Sequence, residues 1–408
     1  MGDDFEIVKL AQRPCCVKYL DLYDAFLVGT YELLNCKENA IAKSSHLAEL
    51  NEEQLDSHLI KINWRLGSFV VIKQDADRRF RIINQFICDE SGGVFDFVIA
   101  YQNDKSLDIY AAHSNGTLGK YKLEQIDNHF WLSNQKQQDV PQTKMLTCID
   151  KLPSEQNPKD TIVVGSSEGV ISLFEDSKLV IQKLCHTKDP IWQVRCVKLS
   201  LGRNIIIVGS EDSFWYLYYV SLSSECDLSL QLLYKSPQDE YSAGITCIIQ
   251  MNCDIHHKSD ERFEAIEILV GSYDETFKCY RLTFDSGHSS NIELPKPQVE
   301  LVFSKSIVGG GVWRIKQIYP ADENGNGRLY VAAMYAGSYK LCGSLVPSIG
   351  GRRFEWTEPK ELVEHRSLKF DEKPLHYDID YSPSSSACCI ADFNNGICLI
   401  RYDRQTIQ

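Results

Sequence analysis

The sequence predicts an all-β fold, a seven-bladed β-propeller, from three observations. A short β-branched or aromatic run, a small residue, a polar turn of about four residues and a second apolar run recur as a hairpin signature. The pattern appears in "FLVGTYEL" (26–33), "IYAAHSNGTL" (109–118), "VVGSSEGV" (163–170), "IIVGSEDSFW" (206–215), "ILVGSYDETF" (268–277), "YVAAMYAGSY" (330–339) and "CIADFNNGIC" (389–398). Upstream of each lies another apolar run: "CCVKYLDL", "GVFDFVIA", "MLTCIDKL", "IWQVRCVKL", "GITCIIQM", "GVWRIKQIYP" and "LHYDIDYSP". Helical periodicity is almost absent. Four strands per unit and units of roughly 40–60 residues describe a propeller of the WD-repeat type, whose face-to-face sheets leave no long edge open.

The elements follow in order. The first unit continues with "RLGSFVVIK" and "RFRIINQFI" as third and fourth strands, after an interruption at residues 35–60. That insertion is polar, and the apolar spacing in "HLAELNEEQLDSHLI" suits one short helix; it reads as a mobile excursion or as a lid over a pocket. A second polar excursion, 252–265, brings Cys253, His256 and His257 together. Cys-x-x-His-His is a ligand-like spacing, but the loop offers no partner set and no metal is expected. The last unit has three strands, and the N-terminal "FEIVKLA", Phe5 to Ala11, alternates like a strand without a unit of its own. It is expected to supply the missing outer strand and close the ring, making residues 1–408 one domain.

The third hairpin contains Gly165-Ser166-Ser167-Glu168-Gly169, which fits the G-x-S-x-G pattern of esterase nucleophiles. A nucleophile elbow requires a strand-to-helix junction. Here "VISLFE" follows, a strand pattern, so Ser167 is read as a turn residue.

Composition excludes several classes. Hydrophobic residues make up 43% and charged residues 24% of the 408, values of a soluble globular chain. A net charge of −13 with no Lys/Arg-rich run argues against a surface tracking nucleic-acid phosphates. The 15 cysteines are scattered, several inside apolar runs, and none forms C-x-x-C. The N-terminus "MGDDFEIVKL" lacks signal-peptide features, and Glu6 stands where myristoylation needs Ser or Thr. No apolar run approaches a membrane span. The expectation is a reduced, cytoplasmic, monomeric protein.

Propeller topology opens the second-to-third-strand hairpins, the inter-blade loops and the starts of the inner strands on one face. That face should gather Tyr31, Tyr273, Tyr335, Asp274 and Glu275 from hairpins. It should add Asp96, Trp192, Trp313, Arg314, Tyr377, Asp378 and Asp380 from inner strands, with His186, Asp189, Glu364 and His365 from loops. Singly, each has a structural role open to it: tyrosines packing on neighbouring blades, aspartates holding turn amides, Trp313 filling an interface with "GGG" relieving the crowding. Their convergence favours a site.

At these residues the chain resembles the WD-repeat diphthine methyl ester hydrolases, formerly termed diphthine methyltransferases. The resemblance rests on "GTYEL" with a later "RLG", on "GSYDE", on "GGGVWRIK" followed by "VAAMYAGSYKL", and on a final "H…SL…Y-x-x-D". It runs from about residue 15 to 403, and GSYDE and GGVWR are its most specific pieces. The sequence departs from the family where Y-G-x-D-W becomes Tyr377-Asp378-Ile379-Asp380-Tyr381, where Gln317 replaces a Trp, and where the run from His186 to Trp192 is one residue longer. The resemblance implies hydrolysis of a methyl ester on the modified histidine of translation elongation factor 2, without a cofactor. The substrate carries a trimethylammonium, which aromatic faces hold well. Trp313, Trp192, Tyr273 and Tyr335 are the expected cage, with Tyr31 a further substrate-binding residue and Asp274 or Glu275 adding negative charge. Ester cleavage needs an activated nucleophile and an oxyanion partner. Water activated by His365 or His186, with Asp380 orienting the base and Arg314 facing the oxyanion, is the expectation. The alternatives are a non-catalytic WD-repeat scaffold, and a methyltransferase, which would need a Gly-rich strand–loop–helix unit not visible here.

Overall fold

The structure, a computed structural model, describes residues 5–401 except 128, 154–159, 187, 200–202, 223–227, 252–262, 286–295, 308–309, 320–326, 334–336, 349–350, 357–359 and 362–372. It gives the main chain alone at 222, 228, 263, 318–319, 327–333, 337, 339–348, 351–356 and 360–361.

Seven antiparallel four-stranded sheets follow one another along the chain, as propeller blades do. Their inner strands are Pro14–Leu20, Val94–Gln102, Leu146–Leu152, Ile191–Lys198, Ile245–Met251, Val312–Tyr319 and His376–Ser382; the sheets are numbered 1 to 7 in that order. In sheets 1 to 6 the next three strands pair successively outward. In sheet 6 the short strand Lys360–Glu361 also pairs with Gly337–Ser348. Sheet 7 has three strands of its own, and Phe5–Val8 adds antiparallel to Gly396–Arg401 with Phe5 opposite Ile400 and Val8 opposite Ile397. The N-terminal segment therefore pairs where the alternation in "FEIVKLA" placed it.

The core lies between consecutive sheets. Trp215, Ile207 and Leu217 of sheet 4 pack against Ile245, Val270 and Tyr280 of sheet 5. Val17, Phe26, Val28 and Val70 of sheet 1 pack against Cys389, Ala391 and Leu399 of sheet 7. The last sheet thus rests on the first. The small residue of each hairpin is where neighbouring sheets come closest. A Cβ on Gly165 would stand 2.6 Å from Ile191 Cγ2, and one on Gly209 2.8 Å from Ile245 Cγ2. In each case the first residue of the next inner strand occupies the space. Ala112 and Ala391, at the equivalent places, are fully buried.

Ser167 lies in the turn between strands Thr161–Ser166 and Val170–Glu175, its N–H bonded to Met145 O and Gly169 at φ +73°. No helix follows it.

The insertion in sheet 1 differs from the expected single helix. A two-stranded stem, Glu32–Leu33 with Arg65–Leu66, carries helices Lys37–Lys43, Ser45–Ala48 and Glu52–Lys61. Leu34, Ala40, Leu47, Leu55, Leu59, Ile62 and Leu66 are buried together as its own core. Asn51 and Gln54 form a capping box on the last helix. The second excursion is shorter than expected at its far end, since strand Phe263–Ser272 already includes residues 263–265. Cys253, His256 and His257 lie outside the described residues. Among the described residues no three potential metal ligands cluster, and no helix is long and apolar enough to cross a membrane. Among the described residues no disulfide joins two cysteines, and all but Cys36 are buried.

Candidate functional site: an aromatic floor over a charged channel

Each inner strand begins with a β-bulge. Pairing with the second strand shifts register between the first and third residues of all seven, at Pro14/Cys16, Val94/Asp96, Leu146/Cys148, Ile191/Gln193, Ile245/Cys247, Val312/Arg314 and His376/Asp378. A bulge leaves its extra residue unpaired and re-aims its side chain. The bulged residues are Cys15, Phe95, Thr147, Trp192, Thr246, Trp313 and Tyr377. In sheets 1, 3 and 5 they are small and bond the first residue of the next inner strand: Cys15 Sγ to Val94 O at 2.8 Å, Thr147 Oγ1 to Ile191 O, Thr246 Oγ1 to Val312 O. In sheets 2, 4, 6 and 7 they are aromatic.

Those four rings meet others from the hairpins. Trp313 stands at the centre, with ring centroids of Trp192 at 5.6 Å, Tyr273 at 5.2 Å and Tyr377 at 5.3 Å. The chain continues from Tyr377 to Phe393 at 5.0 Å, to Tyr31 at 6.1 Å and to Phe95 at 4.6 Å. Six of the seven sheets contribute to this floor. Trp313 is buried, 5% exposed, whereas the six surrounding rings are half-buried. Glycines let the rings lie flat on the backbone: a Cβ on Gly311 would be 2.8 Å from Tyr273 Cδ1, and one on Gly93 2.7 Å from Tyr31 Cδ2. Trp192 Nε1 donates to Glu211 Oε2 on the rim. Arg65, at the foot of the helical insertion, lies over Tyr31 at 5.9 Å and donates to its hydroxyl, so the insertion stands beside the floor.

The rings are in mutual contact. A trimethylammonium sits within about 6 Å of a ring centroid, so it would rest on the open faces of the outer rings rather than between Trp192 and Trp313. The geometry is that of a platform with Trp313 beneath it. Tyr335 and His365, both expected here, lie outside the described residues.

A channel-like cavity of about 410 Å³ is lined by residues of all seven inner strands and is charged. Four aspartates in it are fixed by the backbone. Asp378 accepts from its neighbour Ile379 N and from Val17 N in sheet 1, both at 2.9 Å. Asp380 does the same with Tyr381 N at 3.0 Å and Tyr19 N at 2.8 Å. Asp96 joins Phe97 N to Ile149 N of sheet 3, and Asp150 joins Lys151 N to Cys196 N of sheet 4. Each carboxylate bonds a main-chain N–H on the inner edge of the next inner strand.

This reassigns several expected site residues. Asp380 has both oxygens committed to main-chain N–H groups and also holds Lys316 at 3.3 Å, so it clamps sheets rather than orienting a base. Arg314 lines the channel and donates to Thr246 O at 2.9 Å; burial works against its charge while Asp96 and Asp378 sustain it and raise its pKa. His186 is exposed against Tyr216 of sheet 4 at 5.9 Å, with no contact to the floor rings among the described residues. Asp274 uses one oxygen for Ser242 N and the other for Thr276 N and Oγ1, pinning its turn. Glu275 follows at φ +67° on the rim. Arg314 and Asp380 thus line one cavity, from which His186 stands apart, whereas Trp192, Tyr273, Trp313 and Tyr31 belong to the floor.

Phe95 and Phe393 belong to the floor and were not expected. A Ser–His–Asp trio also escaped the sequence. Ser338 Oγ is 2.8 Å from His376 Nδ1, and His376 Nε2 is 3.6 Å from Asp392 Oδ2. All three are at most 1% exposed, and Asp392 also accepts from Leu375, Asn394 and Asn395 N–H groups. Ser338 Oγ is buried, and the trio joins sheet 6 to sheet 7. Burial alone would push the Asp392 carboxyl up, but His376, Asn395 and Leu375 N hold it below its ordinary value.

No family model matches the chain, and no curated protein is significantly similar to it.

Proposed function

We propose that the seven sheets form one closed WD-type β-propeller, and that the chain hydrolyses the methyl ester of methylated diphthine on translation elongation factor 2. The observation that carries this reading is the aromatic floor: seven rings from six sheets on one face, with Glu211 bonded to Trp192 at one end and Arg13 and Arg65 over Phe393 and Tyr31 at the other. A permanent cation without N–H donors gains about 0.5–2 kcal/mol from each aromatic face it covers. An uncharged substrate would gain no such contribution from the rings. The motif resemblance supplies the substrate's identity and the reaction.

In this reading the trimethylammonium rests on Trp192, Tyr273 and Tyr377, over Trp313. His365 acts as general base on a water, whose oxygen adds to the ester carbonyl. Collapse of the tetrahedral intermediate releases methanol, the imidazolium returning its proton to the methoxide. The product keeps the diphthine carboxylate for a later amidation by another enzyme.

The scaffold alternative has one observation in its favour: among the described residues no solvent-reachable nucleophile is paired with a histidine. Methanol release decides between them. Purified chain incubated with elongation factor 2 carrying methylated diphthine is expected to release one methanol per factor, and His365→Ala to slow release at least a hundredfold. Absence of release by the unaltered chain contradicts the hydrolase reading, and undiminished release by His365→Ala contradicts the assigned base.

A further inference from the structure

The two ends of the floor carry opposite charge. At the sheet 4 end the exposed carboxylate of Glu211 accepts from Trp192 Nε1 and has no cation beside it among the described residues. At the other end two arginines lie over the rings. The Arg13 guanidinium is 5.0 Å from the Phe393 centroid, and that of Arg65 is 5.9 Å from the Tyr31 centroid. Arg13 is exposed and Arg65 half-buried.

Neither arginine is paired with a carboxylate among the described residues, and the acids on neighbouring elements are already held. Glu32 is 3.1 Å from Lys43 and Glu90 is 3.5 Å from Lys61, while Asp89 lines a cavity with His46 and His58. Asp392, next to Phe393, is fully buried on main-chain N–H groups and His376. A guanidinium over a ring uses its face there and leaves its N–H edge to meet a carboxylate with two parallel bonds. Of its five donors, Arg13 commits one, to Asn394 Oδ1 at 3.2 Å. Arg65 commits two, to Asn63 O at 3.0 Å and Tyr31 Oη at 3.4 Å. Most of the donors therefore remain open beside the floor.

We infer that Arg13 and Arg65 make an anion-binding end of the floor, which takes an aspartate or glutamate side chain of the protein that bears the cationic ester. The inference rests on the floor being a cation site. A free anion at such solvent-reachable arginines gains little in water. A carboxylate tethered to a cation already on the rings arrives at a high effective concentration, which makes the same contact count. The spacing limits where that acid stands. The Tyr377 ring is 5.0 Å from Phe393, which is 5.0 Å from the Arg13 guanidinium. Extended chain at about 3.3 Å per residue covers this path in about three residues.

Short alanine–serine peptides with a central trimethyllysine, and a single Asp or Asn at each other position in turn, test this by tryptophan fluorescence of the full chain. At a register within about three residues of the trimethyllysine, Asp is expected to bind at least about fivefold more tightly than Asn, and the gain to shrink as chloride rises. Arg13→Gln and Arg65→Gln should each remove most of that gain, and Arg13→Lys, which keeps the charge without the fork, should keep part of it. Trp192→Leu should weaken the Asp and Asn peptides alike. Asn peptides that bind with no register favouring Asp overturn the anion end and leave the cation site standing. A gain equal at all registers, one that survives both arginine variants, or one matched by adding free acetate to the Asn peptide also overturns it. Binding of neither series contradicts the cation site itself, and the anion end with it.

Discussion

Replacing Asp378 by Ala tests how the last sheet is held to the first. The carboxylate is 3% exposed and accepts from Ile379 N and Val17 N at 2.9 Å each. Hydrogen bonds to a charged group contribute about 1.5–3 kcal/mol each, and a buried N–H left without an acceptor costs about 1–3 kcal/mol. Against this stands the cost of keeping the carboxylate dehydrated, which shows in its raised pKa despite Lys316, Lys18 and Arg314 nearby. The net loss comes to about 2–4 kcal/mol. Unfolding entropy scales with length, so for a chain of this size Tm moves by roughly 1 °C per kcal/mol and falls by about 2–5 °C. Hydrogen exchange gives the sharper readout: the Val17 amide should lose protection at least tenfold while amides of sheet 4 keep theirs. Asp378→Asn, which retains one acceptor oxygen, should lie between the variant and the original. An unchanged Tm together with unchanged protection at Val17 refutes the clamp.

Two further predictions concern packing and pH. Gly165→Ala places a methyl 2.6 Å from Ile191 Cγ2 and 2.7 Å from Cys148 Sγ, and should destabilise by about 1–3 kcal/mol in urea unfolding. A change within 0.5 kcal/mol would show that sheets 3 and 4 part without cost. His113 is fully buried, with Tyr121 Oη at 2.8 Å from its Nε2, and burial lowers its pKa to about 4 from an unfolded value of 6.5. The unfolded chain then binds the proton more tightly, so this group's contribution is lost as pH falls from 6.5 to about 4, by about 3 kcal/mol in total. His113→Asn should flatten the urea midpoint across that window, and an identical pH slope in the variant contradicts the assignment.

The sheets were legible because each strand is a short apolar run and each hairpin carries a residue small enough for its neighbour. Gly165 and Gly209 read as turn punctuation in sequence, yet their role is to admit Ile191 and Ile245 from the next sheet. The floor was legible in part. Trp192, Trp313 and Tyr377 mark inner-strand starts, but the bulge that turns them onto one face has no residue signature of its own. Phe95 and Phe393 look like ordinary strand and turn aromatics. The aspartates illustrate the limit most clearly. Asp380 and a catalytic carboxylate are the same residue type beside the same kind of channel, and only the N–H groups of Tyr19 and Tyr381 on its oxygens separate the two roles. Ser338, His376 and Asp392 come from two sheets at separations of 38 and 16 residues, which no local pattern links. In the insertion the apolar spacing of Leu47, Leu55 and Leu59 showed one helix, whereas the breaks at Ser44 and Asn51 that divide it into three have little apolar pattern around them.

The most direct measurement compares two ligands of one shape on the floor. Betaine methyl ester and methyl 3,3-dimethylbutanoate differ in a quaternary nitrogen for a quaternary carbon, and tryptophan fluorescence reports occupancy beside Trp192 and Trp313. Two aromatic faces at about 0.5–2 kcal/mol each predict that the cation binds at least about fivefold more tightly, and that Trp192→Leu removes most of that preference. Equal affinity for the neutral isostere, or a preference that survives Trp192→Leu, would mean that the floor is packing between sheets and not a site for the cationic ester.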